Sequence, residues 1–441
     1  MPSGPTGLRR SKRVGAVKQR RLRLLAGAIA AAAVLALGAG EARPAKSDTV
    51  TITMLVNGPP QPGYQVLIPN FERVYPNINV EATFAPSNAV WYQIETTELA
   101  VGNAPDVLAT FPGCGTPVSV CVLAKAGDLA PLVKEPWVKQ SLRLVTSLGK
   151  YGQGLYAFEP TLSPEGVFTN DALFRKLGLK VPQTFAELLT VCQKAQADGL
   201  AAVFLGGTGT APMSLVDDLA VATVYGRDKQ WPAEQRAGTV TFDGSPGWHQ
   251  ALQEFIDMNN AGCFQPGATG MSNTSAEAEF AQGGGLMWLT ISSNKGSLDA
   301  LSPQFPYSFY PFPGGTVPNQ AETYIQLGTA LSVNAHSSAA NQAAAQTFIN
   351  FVARTAQNAL YARVLGNLTQ YEFLKGQIPA FMSSFASVLA NHKYAINPVQ
   401  TWWNENVLLT LQQDAIGLIT GQTTIDDVLN AMDAAWKQGP G

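Results

Sequence analysis

Thr49-Val-Thr-Ile-Thr-Met-Leu-Val56, Ile78-Asn-Val-Glu-Ala-Thr-Phe84 and Asp106-Val-Leu-Ala-Thr-Phe111 are three short runs rich in apolar and β-branched residues. Between the first two, Val66, Leu67, Phe71 and Val74 recur at helical spacing from Tyr64 to Tyr75, until Pro76-Asn77 stops the pattern. Between the second and third, a helix is expected from about Val90 to Val101, closed by Gly102. Strand, helix, strand, helix, strand within about 60 residues is the pattern of right-handed crossovers in a parallel sheet. The fold class is therefore α/β.

A second block repeats the alternation further along. Gly166–Asn170 reads as a strand, and Asp171 is placed to cap a short helix that Gly178 closes. Thr184 and Glu187 form a capping box for a helix from Phe185 to Ala197. Ala201–Leu205 and Gly285–Thr290 read as strands, with helices around 214–226, 246–260 and 274–281 between them. Pro303 to Pro318 reads as a crossover, Ala330–Val333 as a returning strand, Ser338–Ala356 as an Ala-rich helix, and Ile425–Trp436 as a helix capped by Thr424. Two lobes follow, each with its own sheet and linked by more than one crossing. The expected division is 48–160 plus 320–375 for one lobe and 161–319 plus 376–441 for the other.

The chain of 441 residues is 46% hydrophobic and 14% charged, enough for more than one core and unlike a disordered chain. No repeat with a period of roughly 20–50 residues is present. Eight of the 29 basic residues precede position 24, and Glu41 is the only acid in the first 42 residues. Residues 43–441 therefore carry 21 bases and 30 acids, a net charge of −9, which disfavours a nucleic-acid partner.

The basic stretch runs into Leu24–Gly38, an apolar run too short to span a bilayer comfortably, and then into Gly40-Glu41-Ala42. This is the pattern of a signal peptide over residues 1–42, with an uncleaved anchor as the alternative. Arg20-Arg21 also permits a twin-arginine route. The first cysteine is Cys114, so no lipidated Cys follows the apolar run. The four cysteines allow three pairings, and the closeness of Cys114 and Cys121 within a Gly/Pro-containing loop favours Cys114–Cys121 with Cys192–Cys263 over free thiols.

Signals for chemistry are sparse. Gly206-Gly-Thr-Gly209 lacks the Lys-Ser/Thr of a phosphate loop, and Gly283–Gly285 precedes a strand where a dinucleotide loop must follow one. No Gly-x-Ser-x-Gly elbow occurs, and neither the cysteine spacing nor the three histidines offer a metal site. The expectation is a binding protein without cofactor or metal, its ligand held between lobes at the carboxyl ends of the strands.

Several stretches resemble the extracellular solute-binding proteins of ABC transporters, in particular the family of maltose- and other oligosaccharide-binding proteins. They are Leu67-Ile-Pro-Asn-Phe-Glu-Arg-Val-Tyr-Pro-Asn-Ile-Asn-Val80, Leu99-Ala-Val-Gly-Asn-Ala-Pro-Asp-Val107, Phe168–Gly178 with Val181–Glu187, Phe280–Met287, and Thr424–Ala435 after Gly421. The resemblance implies a two-lobed periplasmic-binding-protein-like fold that closes over a solute and delivers it to a membrane permease. The molecule is expected to be exported and to act as a monomer.

Carried over residue by residue, the resemblance makes Asn57 and Gln61 sugar-contact candidates after the first strand, and Phe111 one after the third. Ser163, with Glu159 or Glu165 as acidic alternatives, falls in the loop before Phe168. Trp288 resembles the aromatic after the family's "F..GkaAM" stretch, and Trp402-Trp403 its C-terminal aromatic pair. Tyr324 and Trp91 complete the candidates, with core packing as the alternative for each Trp. The charged sugar contacts of maltose-binding members are absent around Pro59-Pro60-Gln61, so the expectation is a di- or oligosaccharide without commitment to maltose. Two rivals stay open: a glycerophosphodiester or other polar metabolite near Arg363, and a secreted carbohydrate-active enzyme working through Glu159.

Overall fold

The computed structural model describes residues 49–439 apart from 133, 317–322 and 372–376. The expected signal peptide lies outside the described residues. None of the described helices is long and apolar enough to cross a membrane.

The quoted runs form one side of a mixed sheet. Val50–Asn57 pairs in parallel with Ile78–Ala85 and with Val107–Thr110, and Ala330–Asn334 adds antiparallel to the latter. Short strands at Leu129–Ala130 and Ala157–Phe158 finish this sheet. The helices Gln61–Val74, Asn88–Val101 and Ala339–Val352 connect or flank its strands, and buried residues such as Leu67, Phe71, Trp91, Phe348 and Val352 make its core. Ser87 caps the second helix by accepting from the Val90 amide, and Gly102, at φ 73°, closes it as expected.

A second sheet has the order Tyr394–Ile396, Thr323–Leu327, Leu162–Asn170, Gly285–Ile291, Ala201–Phe204, with Tyr307–Tyr310 also paired to Leu162–Asn170. Its core packs Val203 of the sheet against Leu188, Leu219, Trp248, Phe255 and Leu411 from the covering helices. The chain passes between sheets at 159–161 and at Gly328-Thr329. Near Leu368 it returns, exchanging backbone hydrogen bonds with Leu162 at 2.7 and 2.9 Å.

Several sequence expectations shift here. The segment read as a crossover contains a strand, Tyr307–Tyr310, because its Tyr-Ser-Phe-Tyr run supplies the alternation that the flanking prolines obscure. The first-lobe segment does not begin at 320: Thr323–Leu327 pairs into the second sheet. The strand begun at Gly166 extends back to Leu162. Its helix is capped by Asn170 rather than Asp171, Asn170 Oδ1 accepting from the Leu173 amide. At Thr184 the cap holds, but Glu187 takes the Gln183 amide in place of the Thr184 amide. Ile425–Trp436 carries the full reciprocal capping box of Thr424 and Asp427.

Cys114 is bonded to Cys121 and Cys192 to Cys263. Gly206 and Gly207 are sites of close backbone approach: a Cβ there would lie 2.6 Å from the Asn273 amide and 2.4 Å from the Ala268 carbonyl. Side chains would not fit, which accounts for this glycine run without any phosphate.

Candidate functional site

A cleft of about 800 Å³ opens between the two sheets. From the first sheet's side come Ser87, Asn88, Ala89 and Tyr92 at the start of the helix Asn88–Val101, with Phe111 and Thr116 just beyond the third strand. From the second sheet come Glu165, Trp288, Thr290, Ile291 and Gln326 on or near strand ends. The starts of the helices Ala211–Ala220, Asn273–Ala281 and Glu405–Thr420 complete the wall with Met213, Ser214, Asn273, Glu277, Glu405 and Leu408. The site thus lies where the topology of an open α/β sheet places ligands.

Helix phase decides which residues reach the cleft. In Asn88–Val101, positions 88, 89 and 92 face it, whereas Trp91 and Glu95 turn inward and are wholly buried. Trp91 Nε1 donates to Glu95 Oε2 at 2.7 Å, so Trp91 is a core aromatic. Tyr92, its neighbour, is half-buried with its ring 5.1 Å from the Trp91 ring. The Phe111 loop is fixed by Gly113, which only glycine can serve: its φ is 84°, and a Cβ there would lie 2.3 Å from the Gln400 carbonyl oxygen. That close approach ties the Cys114–Cys121 loop to the segment Pro398–Thr401.

The structure brings Phe111, Trp288 and the acidic alternative Glu165 to the cleft wall. Trp288 is 4% exposed and stacks on Phe168 at 5.8 Å, so it serves the core and the cleft together. Asn57 stands at the margin, donating to the cleft residue Asn88 at 3.0 Å and accepting from Thr329 at 2.9 Å.

Other candidates are placed elsewhere. Gln61 begins the helix Gln61–Val74 and is not on the cleft wall. Ser163 is buried, its hydroxyl donating to Asn367 at 2.6 Å across the crossing strands. Glu159 is buried between Thr161 and Gly328 at the crossover, and burial pushes its carboxyl pKa up. Tyr324 lies beneath the floor against Glu165. Trp402 is 1% exposed among Phe242 and Trp248, at centroid distances of 5.7 and 6.3 Å. Trp403 stacks on Trp436 at 4.4 Å and donates to its carbonyl at 2.9 Å. The C-terminal aromatic pair therefore anchors helices to one another and does not line the cleft.

Tyr92, Asn88, Glu277 and Glu405 are not legible as site residues in the sequence, because only the helix phase distinguishes them from their inward neighbours. One signal in the chain does point to the site: Asp217-Asp218 interrupts the otherwise apolar helix Ala211–Ala220. Both are buried behind Glu165. Burial raises the Glu165 carboxyl from 4.5 to about 8, against a hydrogen bond from Tyr324. Burial, then the nearby Glu165 charge, raises Asp217 and Asp218 well above the usual carboxylate range.

The raised carboxyls carry a stability consequence. The unfolded chain releases these protons near pH 4, whereas the Glu165 proton is held up to about pH 8 in the fold. The folded state binds more protons throughout that window, so stability falls as pH rises through it. Every tenfold difference in proton affinity between the two states is worth about 1.4 kcal/mol. Thermal melts should show a Tm that declines by several degrees from pH 5.5 to pH 8.5, and Asp217→Asn with Asp218→Asn should flatten that slope. A Tm that rises across the range would contradict it.

Two sheets, joined by repeated crossings and bordering one shared cleft, define a bilobal solute-binding architecture. The bacterial extracellular solute-binding protein family matches residues 57–359, and the chain belongs to that family. A multiple sugar-binding protein of Streptococcus mutans is 25% identical over 160 residues, 36% of this chain and 37% of that protein. The match spans little more than a third of that relative's length. Among solved structures, RafE in complex with raffinose superposes with a TM-score of 0.74 at 20% identity, covering 88% of this chain and 99% of that one. A structure from work on xylan utilization by Caldanaerobius polysaccharolyticus gives 0.74 at 21% identity, covering 88% of this chain and 100% of that one. At these identities the likeness establishes the fold.

Proposed function

We propose that this chain is the extracytoplasmic receptor of an ABC importer, which takes a di- or oligosaccharide into the cleft and presents it to the permease. The observation that carries the reading is the cleft's composition. Aromatic faces from both sides (Tyr92, Phe111, Trp288) stand among amide side chains at Asn88, Asn273, Asn294, Gln326, Asn397 and Gln412. A sugar presents C–H faces to such rings and hydroxyls that need polar partners once desolvated. The multiple sugar-binding protein of Streptococcus mutans and the raffinose complex support the same class of solute.

Closure is a hinge motion about the crossings at 159–161, Gly328-Thr329 and Leu368. The sugar favours the closed form by touching both walls at once, which the open form does not permit. The protein works as an exported monomer, without cofactor and without turnover. Glu159, the carboxyl named for a hydrolytic role, is locked at the crossover. The phosphodiester rival loses ground as well, since among the described residues no Lys, Arg or His lines the cleft, and Arg363 borders a separate groove with Lys295.

A thermal-shift screen tests the reading. A saccharide present at 100 times its Kd should stabilise the fold by about 2.7 kcal/mol. Raffinose, maltotriose, chitotriose and xylotriose form a suitable first set. No shift with any saccharide, alongside a clear shift with a non-sugar metabolite, would contradict it.

A further inference from the structure

The charge of the cleft is one-sided. Glu165, Glu277 and Glu405 reach its wall from a strand and two helices of the second sheet's side, and among the described residues no cationic side chain does. Directly behind Glu165, Asp217 and Asp218 are 0% and 1% exposed, and none of their four carboxyl oxygens has a hydrogen-bond partner among the described residues. Glu277 Oε1 is likewise buried and unpartnered.

The groups facing this cluster from each packed element are acidic or neutral. Tyr324 comes from the strand Thr323–Leu327, Ser214 from the helix that carries the two aspartates, and Tyr225 from the turn after it. No Lys or Arg offsets the three carboxyls. Burying carboxyl groups without a cation or a donor is costly, so a cluster of this kind is stabilised only by holding protons or by receiving a positive group. With no cation bound, the cluster holds protons; a positive group placed against Glu165 takes over that role. Amides and aromatic rings alone would serve a neutral sugar. Carboxyls on the wall can also accept from sugar hydroxyls, but a neutral sugar gives no reason for the two unpartnered carboxyls buried behind Glu165.

We propose that the preferred solute is a saccharide carrying a protonated amino group, held with its ammonium against Glu165. The inference rests on the carbohydrate reading above and narrows it. The sugar ring packs on Phe111 and Tyr92, while the ammonium donates to the Glu165 carboxylate, whose own proton is released to solvent. Glu405, across from Tyr92 at the rim, adds long-range attraction.

The test is calorimetric titration of the intact protein with sugars matched in size and linkage. Cellotriose, chitotriose and the glucosamine trimer form the β-1,4 set, and maltose with its 2-amino analogue forms the α-1,4 set. In at least one set the free-amine sugar should bind ten-fold or more tightly than its hydroxyl and N-acetyl counterparts. That preference should shrink in 0.5 M salt and should vanish in Glu165→Gln. Should that variant fold poorly, Glu405→Gln at the half-exposed rim should still reduce the preference, and the salt dependence of the unaltered protein needs no variant at all. If the neutral sugar binds as tightly as the amine or more so, the amine inference falls while the sugar receptor stands. If no sugar of either kind binds, both fall.

Discussion

Replacing Tyr92 and Phe111 together by Ala should weaken oligosaccharide binding by about 30- to 1,000-fold while leaving the protein folded. The two rings stand on the same wall of the cleft, from the helix Asn88–Val101 and the loop after Val107–Thr110. Both are half-buried at the edge of the first sheet's core, so truncation should cost less stability than at a fully buried aromatic. Stacking against a sugar face is worth about 1–2 kcal/mol per ring, beyond which each ring also keeps water from the polar contacts around it. The sum of about 2–4 kcal/mol corresponds to the stated range. Calorimetric titration of the double variant, with a parallel urea melt, measures both quantities. Unchanged affinity in a folded double variant would remove this wall from the binding site.

The opposite signature is expected at Trp402. Its ring is enclosed by Phe242 and Trp248, and Phe242 in turn meets Trp231 and Trp436 at 5.5 and 6.2 Å. Truncation to Ala removes an indole from a packed interior and leaves a cavity, at a cost of about 3–5 kcal/mol. Denaturant unfolding should report that loss in full, because the ring joins the segment after Pro398 to the helices that cover the second sheet. The protein that remains folded should bind sugar as before, since the indole does not touch the cleft. Lost binding with intact stability would reverse the assignment and return Trp402 to the site.

These two expectations mark how far the site is legible in the chain. The strands and helices follow from periodicity: Val50–Asn57, Ile78–Ala85 and Phe185–Ala197 stand where alternation, helical spacing and caps place them. Helix ends are legible where a side chain has to satisfy a free amide, as at Thr424. The cleft is less so, because residue type alone does not say which way a side chain faces. Trp91 and Tyr92 are adjacent and chemically alike, yet a rotation of about 100° along the helix sends one to the core and the other to the cleft. Trp402 and Trp403 are placed away from the cleft wall for a related reason. Both find partners in the second lobe's helices, and nothing in a Trp-Trp pair distinguishes stacking on Trp436 from stacking on a solute. Phe111 and Trp288 do reach the cleft wall: Phe111 directly follows the strand Val107–Thr110, and Trp288 stands midway along Gly285–Ile291.

The buried acidic cluster is visible in sequence as two aspartates within an apolar helix, but its meaning needs the third carboxyl. Glu165 and the pair Asp217-Asp218 are distant in the chain and are brought together only when the helix Ala211–Ala220 packs on Gly285–Ile291 and Thr323–Leu327, the strands on either side of Leu162–Asn170. The same packing sets two further carboxyls behind the acidic wall of the cleft.

The most direct measurement is a crystal structure of the protein grown with the oligosaccharide that gives the largest thermal shift. Sugar density is expected between the two sheets, with Phe111 and Tyr92 against a ring face, Trp288 on the far wall, and Glu165 within hydrogen-bond distance of a polar substituent. A saccharide bound outside this cleft, for instance in the groove between Lys295 and Arg363, would contradict the assignment of the cleft as the sugar site.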